Sequence, residues 1–213
     1  MQPIMQASPS PRTSQANERP DASSAMFLRK HSRLAEQLLS SSANWEWDRL
    51  KRELMAMEIV IASATEADAE AISALNREVQ SVHATALPRL FKLPGPESFP
   101  PSAVRELLAK PENVVLLARF GCEPAGYVYA EIIGRPETSL RYAHALIYLH
   151  HISVAVVHRK RGVGRALVEA ARQIGAQQGI STLALDVWSF NEPARRFFRR
   201  CGLTPYNERL WIE

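Results

Sequence analysis

Residues 151–179 read "HISVAVVHRKRGVGRALVEAARQIGAQQG". The first part, through Val157, is an apolar β-rich run, and the part after Gly162 has the spacing of an amphipathic helix. Between them lies "RKRGVG", residues 159–164, five of whose six members are cationic or glycine. A helix start exposes unpaired N–H groups and a partial positive charge. Glycines let a ligand approach those groups without a Cβ in the way. A strand feeding such a turn is an anion cradle, and Arg159, Lys160, Arg161 and Arg165 add formal charge. The ligand this favours is a polyanion, most simply a pyrophosphate.

Two common phosphate loops do not fit. A Walker loop needs GxxxxGK followed by Ser or Thr, and no such run is present. A dinucleotide fingerprint needs a third glycine three residues after Gly164, where Leu167 stands. The bland alternative is a tight strand-to-helix turn with solvated charges.

The rest of the chain narrows the choice of class. Its 213 residues, 46% apolar, suffice for one domain with a core, and the formal charge of +4 is only mildly basic. Cys122 and Cys201 stand alone, which suggests neither a disulfide scaffold nor a zinc site and points to a reducing compartment. No apolar run approaches the roughly 20 residues of a membrane span, and the N-terminus has no apolar signal core. The expected location is the cytoplasm, with no membrane partner.

Residues 1–25, rich in Ser, Pro, Gln and Asn, are expected to be a disordered tail. Residues 26–56 hold two amphipathic helical patterns, one with Leu34, Leu38 and Leu39, one with Trp47, Leu50 and Leu54. They form a helical extension that either packs on the main domain or offers a partner surface. The domain itself occupies 57–213. "EIVIASA" (58–64) is a strand, and Thr65 with Asp68 makes a capping box before a helix to about Val82. A Pro-rich loop carries Phe91 and Phe99, and a short helix starts from Ser102. "NVVLLARF" (113–120) and "AGYVYAEII" (125–133) form a hairpin across "GCEP". A strand "LIYLHHISVAVV" (146–157), the helix after Gly162, a strand "TLALDVW" (182–188), a helix ended by Gly202 and a last strand "ERLWIE" (208–213) follow.

"ISVAVVHRKRGVGRAL" resembles the acyl-CoA-binding motif of the GNAT superfamily of N-acyltransferases, with Val154 at the strand end, Arg159 at the Arg/Gln position, and Gly162 and Gly164 following. "LDVWSFNEPARRFFRRCGL" (185–203) resembles the family's next motif, in the right order and spacing. The resemblance covers about residues 57–213. It implies an α+β fold: a mostly antiparallel twisted sheet, splayed at the CoA site and flanked by helices. It implies acetyl-CoA as co-substrate, no metal, and an amine acceptor, small molecule or peptide, attacked directly in a ternary complex. The alternative on the same fold is a non-catalytic acyl-CoA sensor. Nucleic-acid binding through "HRKRGVGR" and "RRFFRR" is disfavoured, since the arginines of the second run should form an exposed helical face. A homodimer is compatible with the sequence.

The resemblance also implies site residues. Ile152, Ser153, Val154 and Val156 would flank the pantetheine arm. The amides from Arg159 through Lys160, Arg161, Gly162, Val163 and Gly164, then Arg165 and Ala166, would hold the pyrophosphate, with Arg161 and Arg165 the favoured side chains. Asn191 would touch the cofactor, and Phe198 stands where many members carry the Tyr that protonates the departing thiolate. Tyr206 is another hydroxyl that could serve. For the base, His150 and His151 are the candidates, expected on opposite faces of their strand; Glu131 and Tyr148 are weaker ones. Asp186 would face the splay, and a solvated or paired carboxylate is the favoured reading of it. His83 and Phe91 would shape the acceptor pocket.

Overall fold

The computed structural model describes residues 58–212. The tail and helical extension read from residues 1–56 lie outside the described residues. Five strands form one sheet in the order β1 (Ile59–Ser63), β2 (Asn113–Phe120), β3 (Glu123–Arg135), β4 (His144–Val154), β5 (Leu183–Leu185). The first four pair antiparallel, and β5 joins β4 in parallel. Four helices complete the unit: α1 (Ala69–Ala86), α2 (Pro101–Leu108), α3 (Val163–Gln177) and α4 (Glu192–Arg200). This is the mixed α+β architecture anticipated above.

Both faces of the sheet are covered, which explains why β2 is apolar almost throughout. Val114, Leu116 and Ala118 pack in a core with Leu167, Val168 and Phe198 from α3 and α4. Val115 and Leu117 face the other way, into a core with Ile72 and Leu75 of α1 and Val104 of α2. Burying one such side chain stabilises by about 1.5–3 kcal/mol. The hairpin between β2 and β3 turns at Gly121, whose φ of 56° suits glycine.

Three sequence expectations change. Residues 208–212 form no strand; Leu210 and Ile212 are exposed, and the segment has no ladder partner. The strand expected over 182–188 pairs only at Leu183–Leu185, because β4 bends away beyond that point. The helix α2 begins one residue early, since Pro101 occupies its first turn, where a missing N–H is harmless.

The start of α1 follows the predicted capping pattern. The Asp68 carboxylate accepts the Thr65 N–H at 2.8 Å and the Thr65 hydroxyl at 3.0 Å, and it pairs with Arg119 at the end of β2. Burial works to raise the Asp68 pKa, but the Thr65 N–H and the Arg119 guanidinium outweigh it and hold the carboxyl below its ordinary 3.8. A depressed carboxyl contributes stability that is complete above the unfolded-state pKa and is lost as pH falls through the folded one. Asp68→Asn is therefore expected to cost about 1–3 kcal/mol in denaturant unfolding at pH 7. The gap from the parent protein should close as pH drops below 3.8.

Candidate functional site: a fork between two strands beside a helix start

β5 pairs with β4 only at Ile147–Leu183, Tyr148–Ala184 and Leu149–Leu185. Beyond Leu149 the strands part. On its other side β4 carries a bulge: Tyr129 faces His151 and Ala130 faces Leu149, so His150 has no opposite residue on β3. A bulge bends its strand and increases local twist, which accounts for the divergence from β5.

The bulge also corrects the expectation that His150 and His151 lie on opposite faces. An extra residue resets the alternation, and both rings meet Tyr129. His150 stacks on it at 4.7 Å and 14°, and His151 meets it edge-on at 5.6 Å. Ser153, two residues on, then faces α1 and donates its hydroxyl to the Leu75 carbonyl at 2.7 Å.

The two histidines have different surroundings. His150 Nε2 lies 2.9 Å from Glu131 Oε2, with the side chains 31% and 33% exposed, and Tyr148 lies 4.9 Å from the His150 ring. His151 is enclosed by Phe99, Tyr127 and Tyr129. Burial first, then the neighbouring His150 and His83, push its pKa down to about 4. Asn76 donates to the Tyr127 hydroxyl oxygen at 2.7 Å, and that hydroxyl lies 3.4 Å from His151 Nδ1. If Tyr127 donates there, the imidazole proton sits on Nε2. Burial, and then Asp186, push the Tyr148 hydroxyl up to about 12, so it stays protonated.

At the other end of the fork, the first helical bond of α3 runs from Ala166 N–H to Gly162 C=O at 3.0 Å. The amides of Val163, Gly164 and Arg165 thus have no intrahelical carbonyl. Gly162 has a φ of 90°, and Lys160 is also left-handed at 60°. A Cβ on Gly164 would stand 3.1 Å from the Phe197 ring, so this glycine lets α4 pack against the start of α3.

The cations divide. Arg159 pairs with Glu78 at 2.7 Å and bonds the Val154 carbonyl at 3.0 Å. Arg161, favoured on sequence as a phosphate contact, lies over the Phe120 ring at 4.2 Å, beside His158 Nδ1 at 3.4 Å. Lys160 and Arg165 are exposed and carry no ion pair among the described residues. An exposed helix start with three spare amides and two spare cations fits a diphosphate.

Several candidates already take part in packing or capping. Val163 is buried in the core, while Ile152 and Val154 pack against it. Val156 is exposed. Asn191 Oδ1 caps α4 by accepting the Ala194 N–H at 3.2 Å. Phe198, placed among the cofactor contacts on sequence, is 7% exposed and belongs to the core; Phe197 is the ring beside the loop. The α4 arginines mostly face solvent, as expected, and Glu192 pairs with Arg195 and Arg196. His83 and Phe91 do come together, at 5.0 Å. Burial lowers the His83 pKa, despite a raising contribution from the Val79 backbone.

Sequence reasoning missed Asn76, Tyr129, Trp188 and Phe190. Asn76 and His83 are seven residues apart, so they share a face of α1, and that spacing was the available signal.

Residues 84–203 match the acetyltransferase (GNAT) family. The streptothricin acetyltransferase of Escherichia coli is 27% identical over 78 residues, 37% of this chain and 44% of that protein. This chain spans less than half the length of the curated relatives it matches. The BH1408 protein of Bacillus halodurans superposes with a TM-score of 0.69 at 22% identity, over 72% of this chain and 99% of its own. The aminoglycoside N-acetyltransferase AAC(6')-Iy, solved with CoA, gives 0.57 at 17% identity, over 73% and 94%. The chain belongs to the GNAT acetyltransferases, a family of acyltransferases.

The close approach of β3 to β4 beside the fork gives a direct test. A Cβ on Gly126 would stand 2.6 Å from the Ser153 carbonyl oxygen. Gly126→Ala is expected to destabilise by about 1–3 kcal/mol through overpacking. Gly162→Ala should cost about 1–2 kcal/mol from left-handed strain alone. Thermal unfolding of the two variants measures both.

Proposed function

We propose that this protein transfers an acetyl group from acetyl-CoA to an amine by direct attack within a ternary complex. The observation that carries the reading is the fork: a gap between β4 and β5 flanked by the free amides of α3 at one end and the His150–Glu131 pair at the bulge. Acetyl-CoA, when bound, supplies a thioester whose carbonyl carbon is open to an amine.

The chain's own groups then have distinct tasks. Val163, Gly164 and Arg165 amides, with Lys160 and Arg165 side chains, hold the diphosphate. His150 accepts the proton that the amine loses as the C–N bond forms and the C–S bond breaks. Glu131 orients the imidazole and stabilises it once protonated. His151, with its pKa near 4, stays neutral at physiological pH and works through packing with Tyr127 and Tyr129. The sulfur leaves as a thiolate, a tolerable leaving group with a pKa near ~8.5, so the missing hydroxyl at Phe198 does not block the reaction. Tyr148 lies beside His150 and remains a proton donor. The expected location is the cytoplasm; no helix among the described residues is long and apolar enough to cross a membrane.

Acetyl-CoA should raise the melting temperature, and Arg165→Glu should sharply reduce that shift by replacing a spare cation at the start of α3 with a carboxylate. His150→Ala should lower kcat by roughly 10²–10⁴-fold with the KM for acetyl-CoA unchanged. His151, with its pKa near 4, should not take over as base in that variant. Stabilisation by acetyl-CoA without release of the CoA thiol in the presence of any amine would leave a binding module instead of an enzyme.

A further inference from the structure

The aromatic residues around the fork form two ring clusters on the α1 side of the sheet, linked through α1 and through the segment after β5. His150 meets Tyr148 at 4.9 Å. The Tyr148 hydroxyl feels the Asp186 carboxylate just past β5. Val187 packs into the core on the α3 side, so Asp186 and Trp188, one residue either way, project to the opposite side. Trp188 meets Phe91 edge-on at 5.3 Å and stacks on Phe190 at 6.1 Å. Phe91 and Phe190 both meet His83, at 5.0 and 6.0 Å. His83 lies two turns along α1 from Asn76, whose amide is 3.5 Å from His151, and His151 returns through Tyr129 to His150. Trp211, 61% exposed, adds an edge against Trp188 at 6.3 Å.

We infer that this circuit is the acceptor site and that the acceptor is a primary amine carried on an aromatic or similarly flat apolar body. The inference rests on the acetyl-transfer reading above. Its basis is composition. The Trp188, Phe91, Phe190 and His83 rings come from three separate segments and are only half-buried. They present ring faces and edges, which suit another ring and an ammonium. Of the two carboxylates on the circuit, Glu131 holds His150, and Asp186, two residues before Trp188, pairs with Arg209 at 3.4 Å. A polyhydroxylated amine would need many hydrogen-bonding groups along this wall, and these four rings offer only the Trp188 indole N–H and the His83 imidazole.

The test is thiol release by the full-length protein from acetyl-CoA with three acceptor classes at equal concentration. These are phenethylamine and tyramine, putrescine and spermidine, and kanamycin. Acetyl-CoA-dependent stabilisation is measured in the same samples. The aromatic amines are expected to give a kcat/KM at least about 10-fold above the others. Trp188→Ala should raise their KM about 10-fold or more while leaving the KM for acetyl-CoA unchanged, and Trp188→Phe should restore most of the loss. Preference for the polyamines or kanamycin, or no turnover of either aromatic amine by a protein that acetyl-CoA stabilises, overturns the inference alone. No stabilisation by acetyl-CoA overturns the donor reading beneath it.

Discussion

One extra residue in β4 governs the geometry of the site. Because His150 has no opposite on β3, the strand changes both its direction and its parity at that point. The change in direction separates β4 from β5 after Leu149. The change in parity turns His151 and Ser153 toward α1, where Asn76 and the Leu75 carbonyl meet them. Without the bulge, His151 would point into the α3-side core, where an imidazole has no partner and burial costs about 1–3 kcal/mol.

The glycine loop shows a similar economy, with each residue answering to a different constraint. Gly162 is required by its φ of 90°, and Gly164 by the Phe197 ring at the start of α3. Arg159 ties the loop to α1 through Glu78, and Arg161 ties it to Phe120 at the end of β2. These contacts pin the turn from both sides of the sheet. A preformed turn keeps its amides aimed outward before any anion arrives, so less ordering remains to be done on binding. Two of the four cations in and beside the loop, Arg159 and Arg161, thus help set its shape.

The elements with strong local signals were legible in the sequence. The Thr65–Asp68 capping pattern, the Gly121 turn and the helix after Gly162 depend on neighbours a few residues away. The fork motif was legible as well, through its spacing and family resemblance. What escaped depended on distant partners. A bulge at His150 is decided by how β3 pairs, and no local feature of "YLHHIS" marks it. The packing of Arg161 on Phe120 could not be read because that ring lies some forty positions earlier in the chain. Phe197 and Phe198 could not be told apart because adjacent helical positions differ by about 100°, and only packing decides which one is buried. The last strand failed for another reason: β propensity in "ERLWIE" is a preference for a pleated surface, and among the described residues no strand is placed to pair with it.

The two faces of the sheet carry separate chemistry. The start of α3 and its spare amides belong with the α3 and α4 core, while Glu131, Tyr129, His150 and His151 belong to the α1 side. Paired strands stand about 4.8 Å apart with their ladder bonds closed, so a group held on one face cannot reach the other through them. Among the described strands, the gap past Leu149 is where β4 and β5 cease to be bonded. His150 is the first residue beyond that last pair, and its ring is held on the α1 side by Glu131 and Tyr129. The His150 imidazole therefore sits at the edge of the one opening between the two faces that the described strands leave, with the start of α3 toward one face and α1 toward the other.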